Sequence, residues 1–345
     1  MSGSSLDGLD VAYCVFTVDN NNKWQFTIKQ AECIAFDKSW LQKLKTAPQI
    51  SGFELSQLNA DFGKLLGEMC NNLIKKHGLQ VDLIASHGHT VFHEPAKGFS
   101  TQIGCGASLH AQTHKTVVSD FRSLDVALGG QGAPIVAITD KLLFADYKYC
   151  LNLGGIVNIS IKNDNNITAY DICACNQALN FLANQKGLSY DEGGQLAAKG
   201  QLIHALFNAL NKDVFYEQKP PKSLSNQWVQ QVVVNLVKNH NGSIEDKLNT
   251  LCHYIAHQIS KVVNLPKNQK EQLLVTGGGA FNTFLIDLLK EKCNAQVVIP
   301  SSKIVNYKEA LAMAFLGVLR MRNQTNVLAS VTGAKYDNVG GVINK

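Results

Sequence analysis

Residues 151–171 read LNLGGIVNISIKNDNNITAYD: an apolar run, the pair Gly154 and Gly155, an alternating run, an Asn-Asp-Asn-Asn turn and a second alternating run. Period-two alternation on both sides of an Asn/Asp turn predicts a β-hairpin. The same order stands at the start of the chain, where residues 2–28 read SGSSLDGLDVAYCVFTVDNNNKWQFTI. A small-residue loop, a strand, a polar turn and a strand, met twice, predict an internally duplicated chain. The first loop comprises Gly3, Ser4, Ser5, Leu6, Asp7 and Gly8 and runs through Leu9 and Asp10 into its strand. Glycine permits close backbone approach, and Ser hydroxyls and free N–H groups are donors suited to phosphate. On these residues alone a frayed terminus is the favoured account.

Outward from the hairpins, helical and strand patterns alternate. Leu55, Leu58, Phe62, Leu65, Leu66, Met69 and Leu73 recur at helical spacing before Gly78, and residues 177–185 and 202–210 behave similarly. VDLIAS, TVVSD, LLVT and QVVIP have the length and composition of buried strands in an α/β sheet. A chain of 345 residues is long for one core. Two mixed α/β lobes are expected, residues 1–129 with 320–345 and residues 130–319, and a cleft between lobes is where ligands tend to bind.

A net charge of +5 without long Lys/Arg runs gives no nucleic-acid footprint. No apolar run approaches the ~20 residues of a membrane span, and no signal-peptide pattern opens the chain, so a cytoplasmic location is expected. Nine cysteines, an odd number without a C-x-x-C pair, argue against a disulfide framework or structural zinc.

LLVTGGGAFNTFLIDLLKEK joins a buried strand to an amphipathic helix through Gly277, Gly278 and Gly279. Such a junction offers free N–H groups and the positive end of a helix dipole to a phosphate or nucleotide, or else is a tight turn. SHGHTVFHEP places His87, His89 and His93 close together, a conceivable metal set that lacks a ligating carboxylate at fixed spacing. SDFR places Asp120 and Arg122 before the Gly129–Gly132 turn; the planar Arg fork suits a substrate carboxylate, and a salt bridge between lobes is the competing account.

Three Gly-rich elements in one duplicated α/β chain resemble the acetate and sugar kinase, heat-shock chaperone ATPase and actin superfamily, whose two ribonuclease-H-like lobes close on ATP. A closer resemblance covers nearly the whole chain. MSGSSLDGLD, SHGHTVFHEP, TQIGCGASLHAQT, VVSDFRSLDVALGGQGAP, LNLGGIVNIS, PPKSLSNQW, VTGGGAFN and KEALAMAFLG, in this order, are similar to the anhydro-N-acetylmuramic acid kinase family. The GGQGAP and PPKS segments are specific to it.

The resemblance implies an α/β fold of two ribonuclease-H-like lobes around a cleft. It implies an ATP-dependent and Mg²⁺-dependent kinase that opens the anhydro ring of 1,6-anhydro-N-acetylmuramic acid with water and phosphorylates the freed 6-oxygen, in peptidoglycan recycling. Asp171 is the expected base and Glu309, opening the final helix, a second catalytic candidate or merely a helix-terminal acid. Gly3–Asp10, Gly154, Gly155 and Gly277–Gly279 would hold ATP, with Asp7 or Asp10 reaching Mg²⁺ through water. His89, Asp120 and Arg122 would bind the sugar. Expected partners are the amino sugar and ATP, with room for a homodimer, but neither nucleic acid nor membrane.

Two departures from the family pattern stand out. Its Asp-Thr-Gly-Pro-Gly-Asn segment is here Asp171-Ile-Cys-Ala-Cys-Asn176. Family members also carry a short strand before Met-Ser-Gly, so half of the first phosphate hairpin is expected to be missing or the start codon misassigned. Alternative expectations are a degenerate sugar- or nucleotide-binding module and a metallohydrolase using the three histidines.

Overall fold

The computed structural model describes residues 1–3, 8–163, 166–263 and 271–345. They cluster into two units, Met1–Leu143 with Tyr307–Lys345, and Phe144–Asn306. The boundaries expected at 129/130 and 319/320 lie elsewhere because residues 137–143 and the last helix pack in the first unit. Lys308 makes a buried 2.7 Å ion pair with Asp140, and Phe315 packs edge-on against Trp24 at 5.0 Å. The helix Ser302–Met321 bends at Tyr307, where the first unit resumes.

The second unit is built on a five-stranded sheet. Its strands are β7 (Tyr149–Leu153), β8 (Ile156–Asn163), β9 (Asn166–Ala174), β10 (Gln272–Thr276) and β11 (Gln296–Val298), in the order β11-β10-β7-β8-β9. The strands β7, β8 and β9 run antiparallel, and β10 and β11 continue the sheet in parallel with β7. Leu151, Leu153 and Val157 are fully buried with Leu251, Ile255 and Ile259 of the helix Ile244–Val262. Three antiparallel strands followed by parallel ones are the ribonuclease-H-like arrangement expected.

The first unit repeats that order in pieces. The hairpin of β1 (Leu9–Val18) and β2 (Trp24–Ile34) corresponds to β8 and β9. Each hairpin carries a bulge, with Lys29 and Ile172 as the extra residues in the second strand. The strands β3 (Leu83–Ser86) and β6 (Thr116–Ser119) are parallel, as β10 and β11 are, and β12 (Val342–Asn344) adds to β6. The antiparallel hairpin of β4 (His89–Glu94) and β5 (Phe99–Ile103) is a separate two-stranded sheet.

The helix Gly52–His77 covers the first unit. A Ser51/Glu54 capping box starts it, basic residues fill its last turn, and Gly78 ends it at φ 60°.

One difference between the units lies beside the first hairpin. In the second unit β7 fills the space between β8 and β10, whereas between β1 and β3 there is an apolar cavity of about 560 Å³. Leu9–Phe16 line one wall and Leu79–Ser86 the other, with Leu73, Ile74, Met313 and Val318 among the residues that close it. Met1 stands at this cavity and pairs with Asp10: its amino group donates to the Asp10 carbonyl at 2.8 Å, and the Asp10 N–H donates to the Met1 carbonyl at 3.0 Å. Ser2 bridges Leu9 in the antiparallel sense.

Among the described residues no helix is long and apolar enough to cross a membrane. All nine cysteines are free thiols.

Candidate functional site

In the second unit the chemistry gathers where adjacent parallel strands end. Gly154 and Gly155 turn the chain between β7 and β8, and Gly277–Gly279 follow β10. Their carbonyls and crowded Cα positions bind these turns into one block. The N–H groups of Cys175 and Asn176 donate to Gly155 and Gly154, and Asn176 Nδ2 donates to the Leu153 carbonyl at 2.9 Å.

Gly277 has φ 82°, and a Cβ there would lie 2.5 Å from Asn152 Oδ1; one on Gly279 would lie 2.7 Å from Leu153 Cβ. Those two glycines are needed for the turn itself. Gly278 is exposed, and its nearest neighbour would be Asn176 Nδ2 at 3.6 Å. Packing therefore leaves the space beside Gly278 open, as close approach of a ligand backbone or phosphate requires. The carboxyl ends of parallel strands are the usual ligand edge of an α/β sheet.

Asp171 sits in β9 beside the bulge at Ile172, opposite Asn158. Ile172, Cys173, Ala174 and Cys175 continue inward and are buried. The segment that replaces the family's Gly-Pro-Gly loop is thus the end of a strand, held by core packing rather than by glycine. The Asp171 N–H donates to the Lys222 carbonyl at 3.2 Å, and Asp171 Oδ2 accepts from the Leu224 N–H at 2.8 Å. Burial pushes the Asp171 carboxyl up to about 6, and the Leu224 hydrogen bond pulls it partly back. Lys222 does not pair with it: Nζ donates to the Phe215 carbonyl at 3.0 Å and stacks on the Phe215 ring. The PPKS segment, quoted above without a role, therefore backs Asp171 through its main chain.

In the first unit a 360 Å³ cavity is lined by His87, Gln102, Ser119, Asp120 and Asn344, among others. Asp120 has φ 56° and its Oδ1 accepts from the Ser123 N–H at 3.1 Å. An Asp tolerates this left-handed backbone through such local bonding.

His89 is buried; Nδ1 shares a 3.1 Å hydrogen bond with Ser2 Oγ, and the ring meets Phe62 edge-on. Burial lowers its pKa. His93 bonds Ser100 Oγ at 3.0 Å, and His87 bonds Arg122. The three rings have separate partners, and no cluster of three or more His, Cys, Asp or Glu able to hold a metal occurs among the described residues.

Arg122 is not a wall of that cavity. Its Nε donates to His87 Nε2 at 3.0 Å and its Nη1 donates to the Gly132 carbonyl. Desolvation lowers its pKa to about 10, opposed by the charges of Glu309 and Asp125.

Glu309 lies just beyond the bend at Tyr307, inside a helix that starts at Ser302, so it does not open that helix as expected. The side chain is exposed to solvent. Its pKa is raised, first by desolvation from the protein around it and then by the Asp10 charge, while Arg122 and the Met1 amino group oppose the shift. Asp10, Glu309 and Arg122 are thus electrostatically coupled within the first unit. Gly3, Gly8, Leu9 and Asp10 are described; Ser4, Ser5, Leu6 and Asp7 lie outside the described residues.

Asp125 stands with Asp120 and Arg122 just before the Gly129–Gly132 turn, and its role comes from the fold. It is fully buried, accepts from the Gly132 N–H at 2.8 Å through Oδ2, and through Oδ1 accepts from Thr332 Oγ1 at 2.8 Å and Asn338 Nδ2 at 3.0 Å. It fixes the Gly129–Gly132 turn to the C-terminal segment. An acid beside a Gly-Gly-Gln-Gly run was the available signal, but partners over 200 positions away were not.

Comparison with known proteins gives a consistent result. The profile described as anhydro-N-acetylmuramic acid kinase matches residues 1–345. A protein of that name from Francisella tularensis subsp. novicida is 32% identical, the match covering 100% of this chain and 97% of the relative. Another from Pseudomonas fluorescens is 34% identical over 99% of this chain and 97% of its own length. With a duplicated ribonuclease-H-like order, paired glycine turns and a family match over its full length, the chain belongs to the anhydro-N-acetylmuramic acid kinase family.

Proposed function

We propose that this protein uses ATP and water to convert 1,6-anhydro-N-acetylmuramic acid into N-acetylmuramic acid 6-phosphate and ADP, a step in reuse of peptidoglycan fragments. The observation that carries the mechanism is the half-buried Asp171 carboxyl, raised to about 6, whose Oδ2 accepts from the Leu224 N–H. A carboxylate with a pKa just below neutrality is ionised at working pH yet basic enough to take a proton in the transition state. Asp171 removes a proton from water as the water oxygen bonds to C1 of the sugar. The C1–O6 bond breaks, and the freed 6-oxygen attacks the γ-phosphorus as the bond to ADP breaks.

Gly154, Gly155 and Gly277–Gly279 are the nucleotide turns of the second unit, with the open face of Gly278 as the closest approach. Gly3–Asp10 would hold phosphate oxygens in the first unit. Mg²⁺, when bound, neutralises charge on the β- and γ-phosphates. Asp10 and Glu309 would hold it: the Asp10 charge raises the Glu309 pKa, a repulsion that a divalent cation relieves. His89, Asp120 and Arg122 are the sugar contacts, Arg122 facing the lactyl carboxylate.

The test is ADP release by the purified protein with ATP, Mg²⁺ and the anhydro sugar, each omitted in turn. Release that depends on all three supports the reading. Binding of sugar or nucleotide without turnover would replace it by a binding module.

A further inference from the structure

Arg122 and His87 are joined across 35 positions of the first unit. The guanidinium can only donate, so His87 Nε2 accepts; the proton of the neutral ring is then on Nδ1, which lies 3.2 Å from the Gly88 carbonyl. Both ring nitrogens are thereby used inside the protein. Burial, followed by the Arg122 charge, holds this ring uncharged, with its pKa down at about 3. The second support of Arg122, the Gly132 carbonyl, belongs to the turn that buried Asp125 fixes. Nη2 has no protein partner among the described residues.

We infer that His87 is a positioning residue: it accepts Arg122 Nε and, with the Gly132 carbonyl, fixes the guanidinium so that the Nη2 edge is presented to an anionic group of the substrate. The inference rests on Arg122 as the contact to the sugar carboxylate. Arg has five donors in a rigid fork, and fixing Nε and one Nη1 hydrogen removes the freedom of a long side chain before substrate arrives. His87 also lines the 360 Å³ cavity, but both of its ring nitrogens are engaged within the protein, which leaves it to act through Arg122.

The test is a kinetic cycle of His87→Ala, His87→Gln, Arg122→Ala and the double Ala variant, reading kcat and both KM values. His87→Ala is expected to raise the sugar KM about tenfold, equivalent to about 1.4 kcal/mol, with kcat and the ATP KM changed less than about twofold. His87→Gln, whose amide oxygen can accept from Nε, recovers most of the loss, and His87→Ala adds nothing to Arg122→Ala. Additive losses, or a Gln variant no better than Ala, overturn the inference.

A second readout needs no substrate: the Arg122 Nε–H proton should be protected from exchange in the wild type and in His87→Gln and lose that protection in His87→Ala. Unchanged protection overturns the positioning role. An unchanged sugar KM in Arg122→Ala, with protection lost as expected, overturns the carboxylate contact alone. His87→Leu, which keeps the volume without an acceptor, serves if the Ala variant is recovered unfolded.

Discussion

The Leu224 N–H donates to Asp171 Oδ2 at 2.8 Å across 53 positions of sequence, joining the Pro-Pro-Lys-Ser segment to the end of β9. This bond lowers the carboxyl pKa while burial raises it more, leaving the group at about 6. The balance keeps Asp171 ionised but basic at neutral pH. The value governs two properties of the protein in opposite directions.

The first is activity. A base must be unprotonated, so kcat/KM should fall as pH drops through about 6. Asp171→Asn should lower kcat by about 10²–10⁴ and leave ATP-analogue affinity nearly unchanged, since an amide cannot take the proton. Steady-state rates between pH 5 and 8, with calorimetric titration of the variant, check both; near wild-type turnover removes Asp171 from the mechanism.

The second is stability. The folded pKa of about 6 exceeds the ordinary carboxyl value of 3.8. The folded state therefore binds the proton more tightly, and ionisation opposes folding. This penalty is absent below about pH 4, grows between about 4 and 6, and is complete above that. Asp171→Asn keeps an oxygen for the Leu224 N–H and carries no charge, so thermal unfolding at pH 8 should show a gain of about 1–3 kcal/mol that vanishes near pH 4. A variant less stable than wild type at pH 8 contradicts the burial argument.

Arg122→Ala should raise the sugar KM about tenfold to a hundredfold and change the ATP KM little, the range expected from a charge-assisted contact of about 1.5–3 kcal/mol. Equal changes in both constants would assign Arg122 to holding His87 and the Gly132 turn alone.

The two hairpins were legible because they rest on local pattern: Asn/Asp turns and Gly-rich junctions are visible as period-two runs broken by turn residues. Unit boundaries were not. The Asp140–Lys308 pair and the Trp24–Phe315 contact place the last helix, and neither residue of either pair announces a distant partner. The site was legible as residue types, Asp171 and the glycines, whereas Asp125 and His87 act through bonds that only the fold creates. The segment after Asp171 lacks the glycines of the family pattern; in the fold its residues Ile172–Cys175 are buried, where Ile and Cys pack well.

The cavity between β1 and β3 makes a prediction from the internal repeat. Met1 is antiparallel to Asp10, so residues joined ahead of Met1 would run opposite Val11 and onward, as β7 runs along β8. Adding about five apolar, β-forming residues there, a usual strand length, should raise the melting temperature and tighten binding of a non-hydrolysable ATP analogue with Mg²⁺. A strand paired on both sides would anchor Met1 and Ser2, which pair with Asp10 and Leu9, ahead of phosphate binding. Equal affinities of the two proteins would remove that loop from phosphate binding.

The most direct test of the central claim, that water opens the ring and ATP phosphorylates the freed oxygen, is turnover of the anhydro sugar with ATP and Mg²⁺ in ¹⁸O-labelled water, read by mass spectrometry within minutes. The account predicts one ¹⁸O per sugar at C1 of the 6-phosphate product, none in its phosphate, and one ADP per product. Label in the phosphate, or ADP formed without a phosphorylated sugar, would contradict it.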